Sequence, residues 1–119
     1  SSIAAQVTRP ELLAYSMGAA AIDQMTRSMA LALAPKGIRV NAVAFGSVMS
    51  GSLQTALKDN PDFRDEIAAV TPLQRIAAPA EIAETVQFLA SDASGFITGQ
   101  VLAVDGGRSL LDAATPPAH

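Results

Sequence analysis

Cysteine is absent from this sequence, which excludes a disulfide scaffold and any metal site built on thiolates. Aromatic residues make up only 4% of the chain, so a core has to be built from Ala, Leu, Val and Ile. Basic residues are in the minority, 8 Lys and Arg against 11 Asp and Glu, for a net charge of −3. That balance argues against nucleic acid as the partner. No apolar run approaches the roughly 20 residues of a membrane-crossing helix, and no stretch has the pattern of a signal peptide. A soluble, cytoplasmic protein is the expectation. An initiator Met is missing too: the sequence opens at Ser1-Ser2-Ile3, as a processed, cut or partial chain would.

What remains is the composition of a packed globular protein. Half of the 119 residues are hydrophobic and 16% are charged, unlike a disordered chain. The length suits one domain or a piece of a larger one. There is no internal repeat and no low-complexity tract.

Residues 1–5 are small and apolar and read as the end of a buried strand, with Ser2 on it. Residues 6–9 are polar and read as loop. Pro10 suits a first helical position and Glu11 suits the positive end of the helix dipole. The helix is predicted over about 10–34. Ile22, Met25, Met29 and Leu33 make one apolar face at helical spacing, with Asp23, Gln24, Arg27 and Ser28 placed elsewhere. Pro35-Lys36-Gly37 ends it. Residues 38–44 are mostly apolar, with β-branched Ile38, Val40 and Val43, and fit a strand buried on both faces of a parallel sheet. A Gly/Ser-rich loop, 45–52, follows at the strand's carboxyl end, where open α/β sheets bind ligands.

Two short helices are predicted over 51–59 and 61–70, broken at Asn60-Pro61. Leu53, Ala56 and Leu57 form one small stripe, and Phe63, Ile67 and Val70 another. Helices above the strand ends would make a lid. Residues 71–78 read as loop. Residues 79–90 read as a helix, with Pro79 at its start, Glu81 in its first turn, and Ile82, Val86 and Leu89 on one face. After a connection over 91–99, residues 100–104 form a strand closed by Asp105-Gly106-Gly107. Residues 108–119 read as a mobile tail. Helix followed by buried strand is half of a βαβ unit. The hydroxyls of Ser2 and Tyr15, one at a strand end and one at a helix start, form a candidate proton-transfer pair.

Several blocks occur in a fixed order. Ser2 is followed thirteen positions on by Tyr15. Then come Ile38-Arg39-Val40-Asn41-Ala42-Val43-Ala44-Phe45-Gly46, Pro72-Leu73-Gln74-Arg75 and Pro79-Ala80-Glu81-Ile82-Ala83. Phe88-Leu89-Ala90-Ser91-Asp92 and Ile97-Thr98-Gly99-Gln100-Val101-Leu102-Ala103-Val104-Asp105-Gly106-Gly107 complete the set. Over residues 1–107 the chain resembles the C-terminal half of a short-chain dehydrogenase/reductase. The resemblance implies the C-terminal part of a Rossmann-like, doubly wound parallel sheet in three αβα layers, with 108–119 as the tail. Two sequence positions depart from the family. Its Tyr-x-x-x-Lys pattern has Ala19 in place of Lys, and its Asn-x-Val-x-Pro-Gly pattern has Phe45 in place of Pro. The family's Gly-rich dinucleotide loop has no counterpart here: neither G-x-x-x-G-x-G nor G-x-G-x-x-G occurs.

The family transfers a hydride between NAD or NADP and an alcohol or carbonyl, so the resemblance implies such an oxidoreductase. Tyr15 would be the general acid/base, and Ser2 would hydrogen-bond the same substrate oxygen. A free tyrosine titrates at about pH 10. The family's Lys lowers that value and holds the ribose, and Ala19 can do neither. At an effective dielectric of about 20, a charge ~4 Å away is worth roughly 4 kcal/mol, or on the order of 10³ in rate. The chain is therefore expected to be impaired.

Cofactor contacts implied by the resemblance are Tyr15, Phe45, Gly46, Val48 and Ser50, and substrate contacts are Ala4, Gln6, Met49, Leu53 and Leu57. No metal is expected. The expected partners are a small alcohol or carbonyl substrate, the family's N-terminal half, and further copies in a homodimer or homotetramer through 10–34 and 79–104. No nucleic acid or membrane is expected as a partner. The rival readings are a non-catalytic relative acting as a binding or assembly subunit, and an unrelated small binding domain. Asn41 and the Asp105-Gly106-Gly107 turn read as structural, the Met25/Met29 stripe as core or subunit interface, and Asp62, Arg64, Asp65 and Glu66 as a solvated face. His119 reads as a solvated end residue. Alone, such a piece would leave an open sheet edge and an uncovered apolar face.

Overall fold

In the computed structural model of the chain, residues 1–112 are described. The order is helix α1 (Leu13–Leu33), strand β1 (Ala42–Phe45), helices α2 (Gly51–Asp59), α3 (Phe63–Ala69) and α4 (Pro79–Ala90), and strand β2 (Val101–Val104). Five 3-10 turns join or flank them, among them Ile3–Ala5, Pro10–Leu12 and Ala34–Lys36. The predicted helix over 10–34 is thus α1 with a 3-10 turn at either end. Gly37, at φ 70, ends the second of these in the left-handed region.

β1 and β2 pair in parallel, from Ala42 opposite Val101 to Phe45 opposite Val104. Ser2 makes a single parallel bridge to Phe45, and the Ser1 ammonium donates to the Val43 carbonyl at 3.0 Å. The start of the chain is therefore the stub of a third strand beside β1. α1 and α4 both pack against β1. The connection from β1 to its parallel neighbour β2 runs through three helices, as a parallel crossover must.

The strand predicted over 38–44 begins at Ala42 instead. Asn41 explains the shift, because its side chain takes over the ladder positions. Its Nδ2 donates to the Ile97 carbonyl at 2.9 Å and its Oδ1 accepts from the Gln100 amide at 3.1 Å. Its structural reading holds. Beside it, the Val40 amide donates to Thr98 Oγ1 at 3.1 Å. Arg39 ties the same region together, donating to the carbonyls of Leu89, Ser91 and Ile97 at 2.9, 3.1 and 3.0 Å.

The predicted burial of both strand faces is not met. Phe45 and Leu102 are exposed, and among the described residues the buried apolar ones are Ala19, Ala30 and Ala44. The α1 face is also different from the predicted one. Ile22, Met25 and Met29 are exposed, while Ala19, Asp23, Thr26 and Ala30 are buried. Small residues let α1 lie close to the sheet side of the chain, so the wider Ile/Met stripe is left outside as an uncovered apolar surface. Asp23 is tolerated inside because Ser1 Oγ donates to it at 2.5 Å. The radius of gyration is 16.2 Å, against about 13.5 Å for a compact chain of this length.

The turn after β2 is held by Asp105, which accepts from the Gly107 amide at 2.9 Å and the Ser109 amide at 2.8 Å. Burial works to raise its carboxyl, but hydrogen bonds from Ser109 and Gly107 outweigh it and leave the group below the usual carboxylate range. Gly106 has φ +62, and a Cβ there would lie 2.8 Å from Thr71 Cγ2. Gly106→Ala is therefore expected to destabilise the complete protein by about 1–3 kcal/mol. Urea unfolding measures this, and an unchanged midpoint would contradict it. Residues Arg108–Leu110 continue as a 3-10 turn. The expected tail residues 113–119, His119 among them, lie outside the described residues.

At α4, Glu81 accepts from the Ala78 amide at 2.8 Å and meets both Arg75 nitrogens at 2.7 and 2.6 Å. Hydrogen bonding to Arg75 first, then to Ala78, lowers its pKa from 4.5 to about 2. A depressed carboxylate stabilises the fold while charged, so this contribution is present above pH ~4.5 and is lost as pH falls through about 2. The prediction is that the complete protein melts higher than its Glu81→Gln variant at neutral pH, and that the gap closes in acid through that window.

Candidate active site

Beyond the carboxyl end of β1 lies a cleft of about 490 Å³, within the range of small-molecule sites. Three parts of the chain supply its uncharged polar groups. Ser2 comes from the third-strand stub, Tyr15 from the first turn of α1, and Gly46 and Ser47 from the loop after β1. Ile3, Ala4, Val7, Leu12 and Phe45 add apolar surface. One side is closed by Phe63 and Ile67 of α3 and by Val70 just after it, the stripe predicted for a lid helix, whereas α2 does not line the cleft.

Ser2 is buried, and its position follows from local chemistry. It caps the Ile3–Ala5 turn, its Oγ accepting from the Ala4 amide at 3.1 Å. That acceptor role leaves the hydroxyl hydrogen available for a substrate oxygen. Tyr15 is 56% exposed, with its ring on the cleft wall.

Gly46 lines the cleft, and its lack of a side chain has an internal reason. A Cβ there would sit 3.0 Å from Asp105 Cβ, so the glycine lets the ends of β1 and β2 meet.

The other expected site residues are distributed as follows. Ala4, Phe45 and Gly46 line the cleft with Ser2 and Tyr15; Ala19, Gln6, Val48, Met49, Ser50, Leu53 and Leu57 do not. Val48 instead bridges Ala77 in parallel, and the Met49 amide donates to the Ala77 carbonyl at 2.9 Å. Ser50 caps α2, accepting from the Leu53 amide at 3.3 Å. Ala19 is only 5% exposed. It lies one turn beyond Tyr15, where its carbonyl accepts from Ser1 Oγ at 3.3 Å. Sequence reasoning missed Arg9, Glu66 and Arg108, all of which line the cleft. Arg9 lies in a stretch read as loop, Glu66 in a run read as a solvated face, and Arg108 one residue past the glycine turn. Only that last adjacency was a signal. Among the described residues there is no group of His, Asp or Glu suited to a metal. None of the helices described there is long and apolar enough to cross a membrane.

A parallel β1–β2 pair with helices packed on β1 is the arrangement of a fragment of a doubly wound, Rossmann-type fold. The chain belongs to the short-chain dehydrogenase/reductase family. Residues 1–109 match the family profile described as enoyl-(acyl carrier protein) reductase. A cis-4-hydroxycyclohexanecarboxylate dehydrogenase of Sinomonas cyclohexanicum is 45% identical over 111 residues, 93% of this chain and 43% of that protein. The ligand-free aldohexose dehydrogenase of Thermoplasma acidophilum superposes with a TM-score of 0.89 at 32% identity, covering 99% of this chain and 49% of that one. An NADPH-bound short-chain oxidoreductase of Pseudomonas aeruginosa, described as containing an atypical catalytic centre, gives a TM-score of 0.84 at 34% identity, over 97% and 45% of the two chains. The chain thus spans less than half the length of these relatives.

Proposed function

We propose that this chain forms the catalytic half of an NAD(P)-dependent oxidoreductase acting on an alcohol or carbonyl, with its chemistry impaired by Ala19. The observation that carries the reading is that Ser2 and Tyr15, thirteen residues apart, line one cleft at the strand ends. The residues present suit the nicotinamide end of the cofactor: two hydroxyls, a glycine loop and apolar walls surround a cleft of adequate volume. Ala19 lacks the cation that would steady its ribose. When bound, the nicotinamide gives or takes the hydride. In the oxidising direction Tyr15 takes the alcohol proton, and in the reducing direction it returns one to the carbonyl oxygen. Ser2 donates its free hydroxyl hydrogen to that same oxygen and steadies the charge that builds there. Phe45 and the α3 residues Phe63 and Ile67 keep water from the reacting carbon.

Exposed Ile22, Met25 and Met29 on α1 favour a homodimer or homotetramer and association with the family's N-terminal half. The test is hydride transfer by the complete protein, followed as nicotinamide absorbance, with NADH and NADPH and a panel of ketones. Slow, Tyr15-dependent turnover supports the reading; none with either cofactor contradicts it. A second reading, a non-catalytic binding or assembly subunit of the same family, is favoured by the buried, uncharged Ala19. It predicts oligomers without turnover.

A further inference from the structure

The cleft holds more charge than proton transfer to an alcohol or ketone needs. Arg9 reaches it from the loop before α1, and Arg108 from the turn after β2. They are 99 positions apart in sequence and line one cleft only because the fold joins these two segments. Burial first, and the Arg9 charge second, push the Arg108 guanidinium below its usual pKa. Two guanidinium groups lining one cleft are an electrostatic cost. That cost is relieved when an anion lies between them.

Glu11 and Glu66 offset that cost only in part. Glu11 makes only a loose contact with Arg9 at 3.8 Å, and the two side chains are 54% and 66% exposed. An exposed pair of that length is worth little. Glu66 is the one carboxylate among the cleft-lining residues. Against Arg9 and Arg108 it leaves a single net positive charge on the wall, which matches a monoanion.

We propose that the substrate of this site carries a carboxylate, held by Arg9 and Arg108 while its hydroxyl or carbonyl carbon faces Ser2 and Tyr15. This specificity rests on the oxidoreductase reading, and it deepens that reading. The guanidinium forks suit a carboxylate because both are planar and can pair through two parallel hydrogen bonds. No covalent step is added. The arginines bind and orient, and the proton and hydride follow the route described above.

The test uses the complete protein and straight-chain keto acids whose carbonyl and carboxylate are separated by one, two or three methylenes, each with its methyl ester. Binding is measured by calorimetry and turnover by nicotinamide absorbance. At least one acid is expected to bind about tenfold or more tighter than its ester. Arg108→Gln should bring that ratio toward one, Arg9→Gln should reduce it, and Arg108→Lys should keep part of it. The ratio should also shrink as salt is raised. A merely structural role for Arg108 would lower stability without changing the acid-to-ester ratio. Acids and esters handled alike, with hydride transfer intact, would overturn the carboxylate site and leave the oxidoreductase reading standing. Tight acid binding that Arg108→Gln abolishes, without hydride transfer from either nicotinamide, would uphold the site and sink the oxidoreductase reading.

Discussion

Ala19→Lys in the complete protein is expected to raise kcat/KM by on the order of 10³. Residues 15 and 19 are one helical turn apart, so their side chains share a face. A unit charge about 4 Å from the tyrosine oxygen is worth roughly 4 kcal/mol at an effective dielectric near 20. That is close to three decades in rate. The geometry makes a demand on the new side chain. Ala19 is covered by the Ser1–Ala5 segment and is buried with Asp23, Thr26 and Ala30. A lysine there has to run along α1 toward Tyr15, with its ammonium at the cleft and its methylenes packed. Melting temperature measured beside the kinetics separates loss of fold from loss of chemistry. A stable variant with unchanged rate would show that position 19 does not limit the reaction.

Tyr15→Phe is expected to lower kcat by about 10²–10⁴, the usual worth of a positioned general acid/base. The substitution removes one oxygen and keeps the ring on the cleft wall. Stability should therefore change little. Ser2→Ala differs in a way the structure explains. Its hydroxyl both caps the Ile3–Ala5 turn and faces the cleft, so that variant should lose rate and also about 1 kcal/mol of stability. The contrast is diagnostic. If Tyr15→Phe unfolds the protein while Ser2→Ala leaves the rate unchanged, the two hydroxyls are packing groups and not a catalytic pair.

Much of this was legible in the amino-acid order, because local rules set it. Pro79 and Glu81 fix the start of α4, and the helix runs over Pro79–Ala90 as predicted. The helix predicted over 51–59 is likewise α2, Gly51–Asp59. The parallel pairing of β1 with β2, and the stub at Ser2, agree with the strands read from β-branched and apolar runs. Three features were not legible. Ladder positions were taken over by the Asn41 side chain, which a count of apolar residues cannot see. The alanines around Ala19 and Ala30 mark α1 as slim enough for close approach, but periodicity misses that this side, and not the one with Ile22 and Met25, is the buried one. The third is the pair of arginines. Arg9 and Arg108 reach one cleft only through the tertiary fold, and neither lies in a periodic or motif-bearing stretch. The cleft itself was half legible. The Ser2–Tyr15 spacing pointed to it, and so did the Phe63, Ile67 and Val70 stripe. The loop residues Val48, Met49 and Ser50 turned instead to bridge Ala77 and cap α2.

Nicotinamide binding is the property on which the rest depends. Calorimetric titration of NADH and of NADPH into the complete protein, alongside its Ala19→Lys variant, measures it directly. The account predicts that one of the two nucleotides binds the natural protein weakly, and that the lysine variant binds it about tenfold tighter through the restored ribose contact. No binding to either protein would contradict it and would give the lead to the assembly-subunit reading.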